Sequence, residues 1–142
     1  MYQFILQAHC VWAYVALIAL IIATANALIG RSQKRVFTDK DRRLSLFGLI
    51  GAHIQFVLGL VLYFVSPNGL DKIRALGMGG MNSFDRLLAV EHPFVNLLAI
   101  ILITIGWSKH KRSEAKFKSI GIFYLIGLIL ILSRIPWSTW FS

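Results

Sequence analysis

The sequence predicts an all-α integral-membrane protein, folded as an up-down bundle of four helices. Of its 142 residues, 57% are apolar and 15% are charged, whereas soluble domains are about 45–50% apolar and about one quarter charged. Mean hydropathy is +0.69, and a chain this short cannot hide so much apolar surface in one soluble core. The apolar residues form four runs joined by short links, which make successive helices antiparallel.

Each apolar run is predicted to be one membrane-spanning helix, which takes about 20 residues. The four runs cover about 4–29, 44–65, 87–107 and 120–135. No basic segment precedes the first run, so we expect a retained helix and not a signal peptide. The fourth run is short, and we expect Trp137, Trp140 and Phe141 to complete it at the membrane interface. The whole chain, 1–142, is predicted to be a single domain.

The basic residues predict the orientation of the bundle. The net charge is +9, from 15 Lys and Arg against six Asp and Glu, and 11 of the 15 lie in the first and third links. Because they lie in short links between apolar runs, we favour a membrane protein over a nucleic-acid-binding one. The positive-inside rule then predicts a bacterial inner-membrane protein with both termini on the periplasmic side. The eleven are Arg31, Lys34, Arg35, Lys40, Arg42, Arg43, Lys109, Lys111, Arg112, Lys116 and Lys118.

The second link, about 66–86, opens with a Ser-Pro-Asn-Gly turn and ends in glycines. Leu70, Ile73 and Leu76 are spaced for one side of a short helix, which we expect to lie on the outer membrane surface.

Small residues also recur at helical spacing within the four runs, and we expect close helix packing there. The alternative is that a glycine makes room for a flat cofactor. The small residues are Ala16, Ala19, Ala23, Ala27, Gly48, Gly51, Gly59, Gly121 and Gly127.

Three histidines and Glu91 lie inside the predicted spans, where ionisable residues are costly and tend to be functional. At 1.5 Å per helical residue, His9 and His92 both lie about 8 Å below the outer boundary, and His53 lies about 9 Å deeper. The fourth histidine, His110, follows the third run within a basic segment, and we expect it to be solvated.

Two level imidazoles on facing helices are suited to the axial coordination of one haem b. We therefore predict His9 and His92 as iron ligands. Haem propionates need cationic partners near the outer surface, and Arg86 and Arg134 are predicted to supply them. Asn96, one turn after His92, is predicted to orient its ring by a hydrogen bond.

Each of these side chains has a simpler alternative. Any of the histidines can be a hydrogen-bond partner between helices, which is the interpretation we favour for His53. His53 can otherwise be a haem ligand or contact a quinone headgroup. Glu91 is interpreted as a partner of Arg134, with proton transfer as the alternative. Pro93 is predicted to kink the third helix.

Several segments together carry a resemblance to a known family. They are His9 in the first helix, Ala52-His53-Ile54-Gln55, Val90-Glu91-His92-Pro93 and Ser133-Arg134-Ile135-Pro136-Trp137. Over nearly its whole length, the chain resembles small bacterial four-helix proteins described as cytochrome b-like. The resemblance implies haem b, with His9, His53 and His92 as candidate ligands. The chain is also similar in size and topology to the HemJ-type protoporphyrinogen oxidases, but it lacks a Leu-Pro-Arg segment at the end of the first helix.

The sequence thus predicts a haem b protein that passes electrons near the outer face, with a quinol as a candidate partner. A haem so close to one surface favours a subunit of a larger redox or respiratory assembly, and whether it is an enzyme stays open. One alternative is a non-catalytic helical subunit without haem, and another is a porphyrinogen oxidase. A copper site at His9, Cys10, Met78 and Met81 is a weaker alternative.

Overall fold

The computed structural model describes residues 1–140. Phe141, which was predicted to help complete the fourth span at the membrane interface, lies outside the described residues. Residues 1–140 form α-helices and contain no β-strand, which confirms the predicted fold class. A five-residue π-helical turn, Leu87–Glu91, joins two of the α-helices. The α-helices are α1 (Tyr2–Ser32), α2 (Asp39–Val65), α3 (Leu70–Gly80), α4 (Ser83–Arg86), α5 (His92–His110), α6 (Lys116–Ser133) and α7 (Trp137–Trp140).

Within residues 1–140, four helices are long and apolar enough to cross a membrane: α1, α2, the continuous helix Ser83–His110, and α6. Helix α1 packs against α2, α2 against α5, α5 against α6, and α6 against α1. The four therefore form a closed ring in which α1 and α5 are diagonal. Side chains from diagonal helices can meet only across the bundle interior.

The last spanning helix differs from its prediction. Helix α6 runs over Lys116–Ser133 instead of about 120–135, and α7 is a separate turn. The chain leaves the helix at Arg134 because Pro136 has no backbone N–H to continue it. Trp140 of α7 then packs against Tyr14 of α1, with 4.8 Å between the ring centroids and 35° between the ring planes. The other spans end within five residues of the predicted bounds.

Small residues bring the helices into close contact, as predicted. A Cβ added to Gly48 on α2 would lie 3.0 Å from the Cβ of Ala23 on α1. On α6, a Cβ added to Gly127 would lie 2.7 Å from the side chain of Ile103 on α5. These backbones approach too closely for a larger residue, as expected for helices that pack in lipid.

The apolar core lies in the half of the bundle nearer the basic links. There Tyr124, which is fully buried, donates its hydroxyl to the carbonyl of Ser45 at 2.8 Å. The outer half instead contains His9 and His92. The core residues are Leu20, Ala23, Ala27, Ala52, Ile100, Ile103, Phe117, Ile120, Tyr124 and Leu128.

The outward faces of the spans are apolar and exposed. Ile18, Val57, Ile101 and Ile129, one from each spanning helix, are 46–58% exposed. In water such a surface would be costly, whereas lipid tails solvate it. The exposed faces are consistent with a multi-pass membrane protein.

A buried carboxylate fixes the first link at the basic end. Asp41 is 2% exposed. Its Oδ2 accepts hydrogen bonds from the backbone N–H and the hydroxyl of Thr38, each at 2.9 Å. Its Oδ1 accepts from Asn26 at 2.9 Å and from Arg35 at 3.4 Å. These bonds cap α2 and tie it to the end of α1.

The second link contains the predicted short helix, α3, which is broken at Gly77. This residue has φ +64°, a conformation that glycine adopts without steric cost. An ion pair from Lys72 to Asp85, 3.5 Å long, connects α3 to the start of the third span. The link is therefore attached to the same end of the bundle as the two outer histidines.

Candidate functional site

The structure brings His9 and His92 together. Their ring centroids are 6.2 Å apart, and the ring planes are nearly perpendicular, at 81°. Both side chains are half-buried. Because α1 and α5 are diagonal in the bundle, the two rings meet across its interior, at the level predicted from the rise per residue.

Helix α2 supplies the surroundings of His9. Gln55 Nε2 donates a hydrogen bond to the backbone carbonyl of His9 at 3.0 Å, which fixes the orientation of the amide. The same nitrogen lies 3.2 and 3.3 Å from the two ring nitrogens of His9, so this contact does not determine which ring nitrogen is protonated. Gln55 Oε1 is buried and has no hydrogen-bond partner within residues 1–140. A Cβ added to Gly59, one turn along α2, would lie 3.0 Å from Cε1 of His9.

The orientation of the His92 ring is set from the end of α6. Nδ1 of His92 lies 2.7 Å from the backbone carbonyl of Arg134, and a carbonyl only accepts, so Nδ1 carries the proton. Nε2 is then left with a lone pair in the neutral ring. The prediction for Asn96 is wrong in its detail. Its Nδ2 donates to the backbone carbonyl of His92 at 2.6 Å, since a side chain four residues along a helix reaches that carbonyl.

Glu91 lies between the two arginines predicted to hold haem propionates. Its Oε1 is 3.5 Å from Nε of Arg86, and its Oε2 is 3.3 Å from Nε of Arg134. All three side chains are 38–45% exposed, as expected near the outer end of the bundle. The pairing of Glu91 with Arg134 agrees with the interpretation favoured from the sequence, and the second arginine was not anticipated as a partner. The group has a net charge of +1.

The π-helical turn explains how Arg86 and Glu91 pair. In an α-helix, residues five apart point about 140° away from each other. Pro93 has no N–H to donate to the carbonyl of Ala89, and its ring crowds that carbonyl. The helix therefore widens just before Pro93, and the N–H of His92 bonds to the carbonyl of Leu87, five residues back. Such turns are frequent at functional sites.

His53 is separated from this cluster. Its Nδ1 donates to the carbonyl of Leu49 at 2.8 Å, and its Nε2 lies 3.2 Å from the hydroxyl of Thr104, which donates its own proton to the carbonyl of Ile100 at 2.7 Å. Thr104 lies on α5, which makes this a polar contact between helices. The structure thus gives His53 the partners expected from the interpretation we favoured.

His110 is buried and not solvated, so that prediction was wrong. It is 2% exposed and its Nδ1 donates to the carbonyl of Trp107. Its ring lies 5.7 Å from that of Phe37 and 4.3 Å from that of Trp107, measured between centroids. The first link folds over the end of α5 and covers it, which the surrounding basic residues did not reveal.

Sequence reasoning missed Gln55 and Thr104. Gln55 points about 200° away from His53 around α2, so the two side chains cannot meet. It shares a face with Gly59, four residues on, and that face meets α1. The hydrogen bond from His92 to the carbonyl of Arg134 could not be predicted from the residue pattern, because it depends on where α6 ends relative to α5.

No protein-family model, curated protein or solved structure matches this chain. The likeness to cytochrome b-like proteins therefore stays a prediction from the segments quoted above. Among residues 1–140, no group of three or more His, Cys, Asp or Glu side chains is placed to hold a metal ion. A bis-histidine haem takes only two side chains from the protein, because the porphyrin supplies the other ligands to the iron.

Proposed function

We propose that the protein binds haem b through His9 and His92 and passes electrons near the outer face of a bacterial inner membrane. The single observation that carries this proposal is the approach of the two rings across the bundle, with 6.2 Å between centroids. Imidazoles on opposite sides of one metal ion, with metal–nitrogen bonds of about 2 Å, have centroids about 6 Å apart. The perpendicular ring planes are compatible with axial ligation, since each ring can turn about its own metal–nitrogen bond.

The hydrogen bond of His92 supports its role as a ligand. Histidines that bind metals usually donate the other ring N–H to a carbonyl or carboxylate, which fixes the tautomer and the ring orientation. His92 makes this bond to the carbonyl of Arg134, and its Nε2 keeps the lone pair that iron requires. No rearrangement of protons is needed before this residue coordinates a metal.

The contacts of His9 also fit the proposed ligand. Gly59 leaves space beside its ring, because any side chain there would begin 3.0 Å from Cε1. Gln55 ties α2 to the backbone of this residue, because its Nε2 donates to the carbonyl of His9 at 3.0 Å. When bound, haem b supplies one-electron redox chemistry. The chain supplies the two nitrogen donors, holds their rings and excludes water with its apolar interior.

The charges at the outer end suit an acidic cofactor. Glu91 neutralises one positive charge of Arg86 and Arg134, and one is left over for a propionate. We place this end on the periplasmic side, because the eleven basic residues of the first and third links lie at the other end. A haem this near one surface favours exchange with a quinol or a partner subunit of a redox or respiratory assembly.

The visible spectrum of the purified full-length protein tests the proposal. We expect a Soret band that shifts on dithionite reduction, with growth of a sharp α-band, and about one haem b per chain by pyridine haemochromogen assay. The expression medium should be supplemented with a haem precursor, so that a low haem content of the protein does not arise from a shortage of haem in the cells. A protein that stays colourless under those conditions and after incubation with hemin would overturn the proposal.

A second candidate function is a non-catalytic helical subunit of a larger inner-membrane complex. One observation favours it: both ring nitrogens of His53 have polar neighbours, the carbonyl of Leu49 and the hydroxyl of Thr104 on another helix. If all three intramembrane histidines act in this way, the protein binds no haem. The same spectrum distinguishes the two candidates, because only the first produces a Soret band.

A further inference from the structure

A cleft of about 500 Å³ opens at the end of the bundle opposite His9, where the first link passes the start of α6. The rings of Phe37 and Phe117, 5.0 Å apart between centroids, hold these two segments together. Phe117 also fills the notch at Gly30, where an added Cβ would lie 2.5 Å from its ring. We call this the basic cleft. Its cationic lining consists of Arg31, Lys34, Arg35, Lys116 and Lys118.

The charge of the basic cleft is not balanced by the protein. Five cations line it against one acidic residue, Glu114, which leaves a net charge of +4. Of these five, Arg35 alone forms an ion pair within residues 1–140, at 3.4 Å from Asp41. Like charges gathered around one concavity raise the local potential and attract an anion.

Helix α6 adds to this field. Its N-cap, Ala115, offers no side chain to the first N–H groups, and its first turn contains no acidic residue. The positive end of the helix dipole is therefore turned towards lysines, which is unfavourable unless an anion lies between them. Lys34 has φ 53°, a left-handed conformation that is uncommon for a residue other than glycine, so the link holds it in place at a cost.

The position of the cleft identifies the kind of anion. It lies at the ends of α1 and α6, two of the four helices able to cross a membrane, and so at the level of lipid headgroups. Apolar groups of Val36, Phe37 and Phe117 line it beside the cations, as suits a ligand that is charged at one end only. Basic pockets between spanning helices are typical sites for acidic lipid headgroups.

We propose that the basic cleft binds the phosphate headgroup of an anionic phospholipid, with the acyl chains along the apolar outer surface of the bundle. The phosphodiester takes the place of the missing counter-charge among Lys34, Lys116 and Lys118. The site is at the far end of the bundle from the histidines, and the proposal does not depend on haem.

Lipid retention by the full-length protein tests this proposal. The protein in dodecylmaltoside is titrated with dioleoyl phosphatidylglycerol, and bound lipid is counted by native mass spectrometry. The cleft variant is Lys34→Gln/Lys118→Gln. The matched control is Lys40→Gln/Arg43→Gln, which removes the same charge from exposed residues of the same end that do not line the cleft. Dioleoyl phosphatidylcholine and inorganic phosphate are the ligand controls.

We expect one phosphatidylglycerol to be retained by the wild type and the control variant, and thermal unfolding to shift upwards with it. The cleft variant should bind about 30-fold more weakly, since each lysine beside an anionic headgroup contributes a factor of about five. Its substituted side chains are exposed, and circular dichroism checks that its helices remain. Equal loss in both variants would show a general attraction between surface charge and lipid and would overturn the proposal. So would equal binding of phosphatidylcholine, or the same stabilisation by inorganic phosphate.

Discussion

The ring of His92 is oriented by the main chain of Arg134, whose carbonyl accepts the Nδ1 proton at 2.7 Å. The side chain of Arg134 does something different, since its Nε lies 3.3 Å from Glu91. One residue therefore fixes the tautomer of a candidate iron ligand through its backbone and contributes charge through its side chain. Substitution at this position removes the charge and leaves the carbonyl in place.

Removal of the charge should change a redox midpoint more than it changes haem binding. A cation near the iron favours the reduced form, so Arg134→Ala should lower the haem midpoint, and Glu91→Gln should raise it. The shift should be on the order of 40 mV for an interaction of about 1 kcal/mol. Spectroelectrochemical titration of the two variants measures both signs. Shifts in the same direction would contradict the pairing, and an unchanged midpoint, spectrum and stability would leave Arg134 as an interfacial anchor only.

The ligand assignment predicts an asymmetry among the three intramembrane histidines. His9→Ala and His92→Ala should each abolish the low-spin haem spectrum or convert it to high spin. His53→Ala should leave axial ligation intact, because the ring of His53 contacts Leu49 and Thr104 and lies apart from His9 and His92. Optical and electron paramagnetic resonance spectra of the three variants make the comparison.

His53→Ala is also the matched control, because it too removes an intramembrane imidazole and leaves a cavity of similar size. Loss of the low-spin signal in His53→Ala with no change in His9→Ala would make the proposed pairing wrong. In that case α2 must face α5 across the iron. If the wild type has no haem signal to lose, the non-catalytic subunit becomes the preferred function.

The buried carboxylate of Asp41 should matter for stability. Asp41→Ala removes the acceptor for Thr38, Asn26 and Arg35 and should lower the free energy of unfolding by about 2–3 kcal/mol. Asp39→Ala is the control two residues away, since Asp39 is 78% exposed and pairs with exposed Arg42. It should cost less than about 1 kcal/mol. Unfolding in mixed micelles, followed by circular dichroism, compares them, and equal losses would contradict the role given to Asp41.

The positive-inside rule predicts which end of the bundle faces the periplasm. Cys10 is exposed, so it is first replaced by serine to leave a background without cysteine. A membrane-impermeant maleimide added to intact cells should then label Asn68→Cys in the second link and not Ser113→Cys in the third. Labelling after lysis shows that both positions can react. The reverse pattern would place the histidine cluster near the cytoplasmic face.

The fold was predictable because hydropathy and charge act over whole segments. Four apolar runs and 11 basic residues in two links suffice for four antiparallel helices, whatever the detailed packing. The level of His9 and His92 followed in the same way, because the rise per residue is nearly constant along a helix. The number of spans, their direction and the depth of each histidine depend on positions along the chain, which can be counted in the sequence.

The contacts within the site could not be predicted in the same way. Gln55 reaches His9 because α1 and α2 approach closely, and the carbonyl of Arg134 reaches His92 because α6 ends beside α5. Both depend on how helices rotate against each other. The π-helical turn before Pro93 was predicted only as a kink, because a proline in a helix permits either distortion.

The placement of the apolar core at one end gives the two halves of the bundle unequal resistance to opening. The half near the basic links holds the large, fully buried side chains of Leu20, Ile103 and Tyr124, whereas the outer end buries fewer apolar residues, among them Met81, Ala89 and Ile135. Regions with few buried apolar contacts open at lower free energy than the rest of a protein. The outer ends of the helices can therefore open locally while the opposite half of the bundle stays assembled. If the protein binds haem b as proposed, the cofactor can enter and leave a bundle already folded in the membrane, instead of having to be present while the helices first associate.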